Sequence, residues 1–168
     1  MDIYLLRHAI AVERGTTGYT DDSLRPLTPE GREKMRQGGC GMKTLGLSFD
    51  LILSSPYLRA KETAEIAAQA LNINNGGIVL TEHLTPDAPF EALVREINAR
   101  SPKPQHILLV GHEPHLSGLL SYLLTKGRQL AIDFKKGGLC HISAPKLLAA
   151  GSATLNSLLT PAQLRRIR

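Results

Sequence analysis

Ile3-Tyr4-Leu5-Leu6-Arg7-His8 is a short apolar run that ends in two polar residues. Such a run reads as a buried strand that delivers side chains at its C-terminal edge. Two similar runs follow, Leu51-Ile52-Leu53 before Ser54, Ser55 and Pro56, and Ile107-Leu108-Leu109-Val110 before Gly111 and His112. Each is followed by a helical pattern. Ala60, Ala64, Ala67, Ala68 and Leu71 recur at helical spacing after the second run, with Ser-Pro expected to cap and open that helix and Asn74, Asn75, Gly76 and Gly77 to end it. Leu116, Leu119, Leu120, Leu123 and Leu124 form a stripe starting near Pro114.

Two more helices are legible between these strands. Thr28 and Pro29 begin one whose later part Gly38, Gly39 and Gly41 are expected to loosen, and Phe90, Leu93, Val94 and Ile97 form another, closed by Ser101 and Pro102. Gly137 to Ser143 reads as a late strand. Alternation of short apolar strands with helices predicts an α/β fold: a three-layer α/β/α sandwich with a mainly parallel central sheet, as one domain over residues 1–168.

The 168 residues are 42% hydrophobic and 21% charged, and no apolar run approaches the length of a membrane span, so neither disorder nor a transmembrane helix is expected. The start of the chain lacks the order of a signal peptide, and the expectation is a cytoplasmic location. Cys40 and Cys140 read as reduced fillers. The net charge of +5 suits anionic ligands, yet the basic excess is scattered, with small clusters at Lys135–Lys136 and at Arg165, Arg166 and Arg168, and aromatics are only 4% of residues. Nucleic-acid binding is disfavoured, because stacking platforms are missing. The C-terminal arginines read as a solvated helix end.

In open α/β sheets ligands bind beyond the carboxyl ends of the strands. Arg7 and His8 follow the first strand, Arg59 lies in the first helical turn after the second, and His112 follows the third. Two guanidinium forks, two imidazoles and a helix N-terminus converging on one point make a site for a dianionic phosphoryl group. A neutral imidazole nitrogen can also attack phosphorus and carry the group covalently. His112 and His115 are three apart, but no third ligand with zinc spacing accompanies them, so neither metal nor cofactor is expected. The loop from Ala9 to Leu27 is too long and polar for a simple connector and is expected to fold over the pocket.

Leu6-Arg7-His8-Ala9, Ser54-Ser55-Pro56-Tyr57-Leu58-Arg59-Ala60 with Thr63, and Val110-Gly111-His112-Glu113-Pro114 together resemble the histidine phosphatase, or phosphoglycerate mutase-like, superfamily. The resemblance spans most of the chain, and it departs from the common pattern at Ala9, where glycine is usual. Asp22-Ser23-Leu24-Arg25-Pro26-Leu27-Thr28 with Gly31, and Lys135-Lys136-Gly137-Gly138, resemble the SixA branch of phosphohistidine phosphatases. The resemblance implies that His8 is the nucleophile, that Arg7 and Arg59 bind the phosphoryl oxygens, that His112 stabilises transition-state charge, and that Asp22 and Arg25 join the site. Asp22 then orients either Arg25 or the His8 ring.

For a proton donor to the leaving group, the resemblance points to a carboxylate on the segment after the third strand, for which Glu82 is the best positional match, with Asp87 as a second candidate. Phosphohistidine leaves as an imidazole, a better leaving group than an alkoxide, so a strong general acid matters less for it. The reading is therefore a metal-independent phosphohistidine phosphatase, a monomer acting on a histidine-phosphorylated protein such as a histidine phosphotransfer domain, without nucleic-acid or membrane partners. The alternatives are a phosphatase or mutase for a small phosphate ester, and a non-catalytic phosphoprotein-binding module. Tyr57 and Leu58 are expected to pack beside the first helical turn rather than meet substrate.

Overall fold

The computed structural model describes residues 1–73 and 77–167. In it the elements run β1 (Asp2–Arg7), α1 (Pro29–Thr44), β2 (Leu51–Ser54), α2 (Leu58–Ala70), β3 (Ile78–Leu80), α3 (Phe90–Ala99), β4 (His106–Gly111), α4 (His115–Thr125), β5 (Leu139–Ser143), β6 (Thr154–Leu159) and α5 (Pro161–Leu164). They build a six-stranded sheet of order β3-β2-β4-β1-β5-β6. The first four strands in that order are parallel, while β5 is antiparallel to β1 and β6 to β5. The mainly parallel α/β expectation holds.

Strand side chains alternate between faces, and the core divides accordingly. Ile3, Leu5, Ile107 and Leu109 face α3 and α4, where they meet Leu93, Ile97, Leu116 and Leu120. Leu6, Ile52, Leu108 and Val110 face the other way, against Met35 and Met42 of α1, the alanine face of α2 and Leu164 of α5. Apolar residues at both parities make β1 and β4 near-continuous hydrophobic runs, as a sheet covered on both faces requires.

Several boundaries differ from expectation. The Thr28 hydroxyl accepts from the Gly31 amide at 3.0 Å and Pro29 opens α1 as read, but the helix runs unbroken through its glycines. These glycines admit neighbours: a Cβ on Gly39 would stand 2.6 Å from Ala70 Cβ, and one on Gly41 2.0 Å from the Leu164 carbonyl oxygen. They serve close packing of α1 on α2 and α5 rather than loosening. Helix α2 starts at Leu58, later than the Ser-Pro signal implies, so the cap position falls on Tyr57, which has no side-chain cap, while Ser55 Oγ accepts from the Tyr57 amide at 3.3 Å one turn ahead of the helix. It closes at Leu71, and Asn74, Asn75 and Gly76 lie outside the described residues, as does Arg168.

The sequence does not mark strands β3 and β6. β3 has three residues, and β6 (Thr-Leu-Asn-Ser-Leu-Leu) is largely exposed without regular alternation. The described residues contain no helix long and apolar enough to cross a membrane. Cys40 and Cys140 are both free.

Candidate active site

The parallel register sets the site. Leu6 and Ser54 both pair with Val110, one from each side, and Arg7 pairs with Gly111. Beyond that level the His8 amide donates to the Gly111 carbonyl at 3.0 Å and the Ser55 amide to the Val110 carbonyl at 3.0 Å. His8, Ser55 and His112 therefore emerge side by side from adjacent strands. The chain after β1 and β2 leaves toward α1 and α2 on one face, and the chain after β4 toward α4 on the other. Adjacent strands whose connections part to opposite faces leave a crevice between them, and ligands bind in such crevices.

His8 and His112 are buried there, with ring centroids 5.1 Å apart. His8 Nδ1 lies 2.8 Å from the Ala9 carbonyl oxygen. A carbonyl can only accept, so Nδ1 carries the proton in the neutral ring and Nε2 keeps its lone pair. Burial, then the charges of Arg59, Arg7 and Lys136, push the His8 pKa down to about 3 despite that hydrogen bond. Burial chiefly, with His8 and Arg59 behind it, pushes that of His112 down to about 2. Both imidazoles are thus neutral at pH 7.

His112 Nε2 pairs with Ser55 Oγ at 2.8 Å, and Tyr57 lies 5.1 Å from the His112 ring with the Arg59 guanidinium 5.0 Å over its own. Neither Ser55 nor Tyr57 stood out in the sequence as a site residue. Ser55 reads there as a helix cap, and the available signal was its place just past a parallel strand, the same place that marks His8 and His112. Thr63, one turn beyond Arg59, accepts from the Ala9 amide at 3.1 Å and donates to the Arg59 carbonyl at 2.6 Å, tying α2 to the His8 loop.

The arginines are held by backbone and carboxylate. Arg7 Nη1 donates to the Phe134 carbonyl at 2.6 Å, and the Gly137 amide closes on the Arg7 and His8 carbonyls at 3.0 and 3.2 Å. This is how the Lys135–Gly138 stretch reaches the end of β1. Arg59 donates to Asp22 twice, from Nη1 to its carbonyl at 2.7 Å and from Nη2 to its carboxylate at 2.9 Å. Asp22 also accepts from Arg25 Nε at 2.9 Å and Arg14 Nε at 3.0 Å. Partial burial would raise its pKa, but the hydrogen bonds from Arg14 and Arg25 and the Arg59 charge hold it well below the usual carboxylate range. Asp22 thus orients Arg25 together with Arg59, not the His8 ring, and it pins the loop across the crevice. Arg25 also donates to the Val12 carbonyl.

Arg7 Nε, Arg59 Nε and His112 Nδ1 are buried without a hydrogen-bond partner among the described residues. The oxygens of a phosphoryl group are acceptors suited to such donors. The two carboxylate candidates are not drawn in: Glu82 and Asp87 are both exposed, and neither makes a side-chain hydrogen bond among the described residues, although the Asp87 charge is felt by Arg14. Glu113, beside His112, caps α4 by accepting from the Ser117 amide at 3.0 Å, and its charge reaches Arg7. No group of three or more His, Cys, Asp or Glu side chains suited to a metal gathers among the described residues.

Comparison with known proteins agrees with this geometry. The family model of the histidine phosphatase superfamily (branch 1) matches residues 3–84. Phosphohistidine phosphatase SixA of Escherichia coli K12 is 32% identical over 119 residues, 67% of this chain and 71% of that protein. An uncharacterised protein of a Picosynechococcus strain is 31% identical over 140 residues, 83% of this chain and 82% of that one. A structure of the protein histidine phosphatase SixA complexed with tungstate superposes with a TM-score of 0.83 at 23% identity, covering 98% of this chain and 99% of that one.

Proposed function

The chain belongs to the histidine phosphatase superfamily, of the SixA type, and on that premise we propose that it hydrolyses protein phosphohistidine through a covalent intermediate on His8. The observation that carries the reading is the bond from His8 Nδ1 to the Ala9 carbonyl at 2.8 Å, which leaves Nε2 as an unprotonated nucleophile under the charges of buried Arg59 and half-buried Arg7. Nε2 attacks phosphorus, the substrate N–P bond breaks, and its electron pair returns to the leaving imidazole, which takes a proton. Water then attacks phospho-His8, the new N–P bond breaks, and phosphate departs.

Arg7 and Arg59 offset the phosphoryl charge in both steps, and neutral His112 donates from one ring nitrogen while Ser55 holds the other. These groups supply the electrostatic work that a divalent cation would otherwise do. The exposed positions of Glu82 and Asp87 suit an imidazole leaving group, which needs little general acid. The partner is a histidine-phosphorylated protein, such as a histidine phosphotransfer domain in the cytoplasm, met by a monomer.

Rapid-quench mass spectrometry on wild type with a phosphohistidine peptide, chelator present, tests the reading. Phosphate on His8, its absence in His8→Ala, and a much higher kcat/KM than for an alkyl phosphate are expected. Wild-type activity in His8→Ala, or a preference for the alkyl ester, overturns it.

A further inference from the structure

A cavity of about 420 Å3 lies between the chain entering α3, the first two turns of α4 and the segment around Leu130. Phe90, Tyr122, Leu130 and Pro114 contribute apolar wall, and Asp87 stands at the rim. His115 also lines it. This residue is only 2% exposed, yet both of its ring nitrogens lack a hydrogen-bond partner among the described residues. Burial pushes its pKa down to about 4, so at pH 7 the ring is neutral, with one nitrogen donating and the other accepting. A buried polar group without a partner is destabilising, by an amount comparable to a lost hydrogen bond.

The cavity is no part of the phosphoryl crevice. No lysine or arginine lines it, so nothing there favours an anion. It lies next to the crevice all the same, since His115 is three residues beyond His112 and close enough that its protonation would bear on that ring. Phe90 packs on His115 with ring centroids 5.1 Å apart and planes tilted by 57°. The volume accepts one or two side chains. An aliphatic occupant would leave the ring unpaired, a carboxylate would meet the Asp87 charge in a cavity lined by no cation, and an amide brings both a donor and an acceptor on a short apolar stem.

We propose that this cavity is a specificity subsite, in which an uncharged amide side chain of the phosphoprotein, near its phosphohistidine, hydrogen-bonds to His115. This deepens the proposed activity and rests on it. Selectivity then comes from a buried polar group that only the matching side chain satisfies, a stronger discriminator than apolar contact alone.

The test uses the full chain and a series of phosphohistidine peptides in which Gln, Leu or Glu is scanned through the positions near the phosphohistidine. A Gln peptide should exceed its Leu and Glu counterparts by about tenfold in kcat/KM at one position. That ratio should collapse toward one in His115→Leu and in Gln129→Trp, which plugs the mouth from an exposed loop and spares the core. Nuclear magnetic resonance of the wild-type His115 ring, titrated with the unphosphorylated Gln peptide, supplies a readout independent of turnover and of how the variants fold. Equal turnover of the three peptides, or a preference that survives Gln129→Trp, overturns the subsite. No turnover of any peptide with a His115 shift overturns the phosphohistidine reading and keeps the amide site; no shift overturns the site.

Discussion

Asp22 holds Arg59 twice over, accepting from Nη1 at its backbone carbonyl, 2.7 Å, and from Nη2 at its carboxylate, 2.9 Å. The same carboxylate accepts from Arg25 and Arg14, so one loop acid sets the position of a buried guanidinium and fastens the loop. Asp22→Asn keeps the shape and removes the charge. It should lower kcat/KM by about 10- to 100-fold, in line with the ~1.5–3 kcal/mol of a hydrogen bond to a charged group. Steady-state kinetics decides this, and an unchanged kcat/KM would show that Arg59 keeps its place unaided.

Arg7→Ala and Arg59→Ala should each remove about 2–4 kcal/mol of transition-state stabilisation, because in the proposed mechanism each donates to the developing phosphoryl charge. Lysine at either position should restore only part, since it keeps the charge and loses the fork. Arg59→Lys should recover less than Arg7→Lys: the two bonds to Asp22 need two nitrogens in one plane. Comparing kcat/KM across the four variants checks the order.

Ser55 acts as a positioning residue through its 2.8 Å bond to His112 Nε2. Ser55→Ala should lower kcat by about fivefold with little change in KM, about 1 kcal/mol for one lost hydrogen bond. Ser55→Thr, which retains the hydroxyl, should recover most of it. If Thr is no better than Ala, the role is packing.

The buried neutral histidines tie stability to pH. His8, His112 and His115 have folded pKa values depressed from 6.5 to about 3, 2 and 4. Below about pH 6.5 the unfolded chain binds protons that the native state refuses, so stability is full above that value and declines as pH falls. Asp22, also depressed from its value of 3.8, contributes in the same direction in the more acidic window below it. Denaturant midpoints should therefore drop between about pH 7 and about pH 5. A flat profile would mean that these rings charge freely in the native state.

Gly41→Ala should destabilise by about 1–3 kcal/mol, the usual penalty of overpacking, because its Cβ would stand 2.0 Å from the Leu164 carbonyl oxygen. Urea denaturation reads this directly. Gly46→Ala would not be a fair control, as its φ of +70° carries a strain of its own.

Much of the molecule is written in local pattern. The buried runs of β1, β2 and β4, the stripes of α3 and α4 and the Thr28-Pro29 start of α1 are set by side chains a few residues apart, and burial on both sheet faces follows from their apolarity. Because parallel strands present their carboxyl ends together, Arg7, His8, Arg59 and His112 could be placed in one crevice from the sequence alone. Other features depend on partners far along the chain. β6 is a strand because β5 offers it an open edge, not because its own residues alternate, and the glycines of α1 are interpretable only with Ala70 and Leu164 in place. The choice of Arg25 and Arg59 over the His8 ring as partners of Asp22, the pairing of Ser55 with His112 across 57 positions, and the unsatisfied His115 likewise became visible only in three dimensions. Hydrogen bonds are fixed by distance and angle between groups that the fold brings together, and sequence separation carries no information about either.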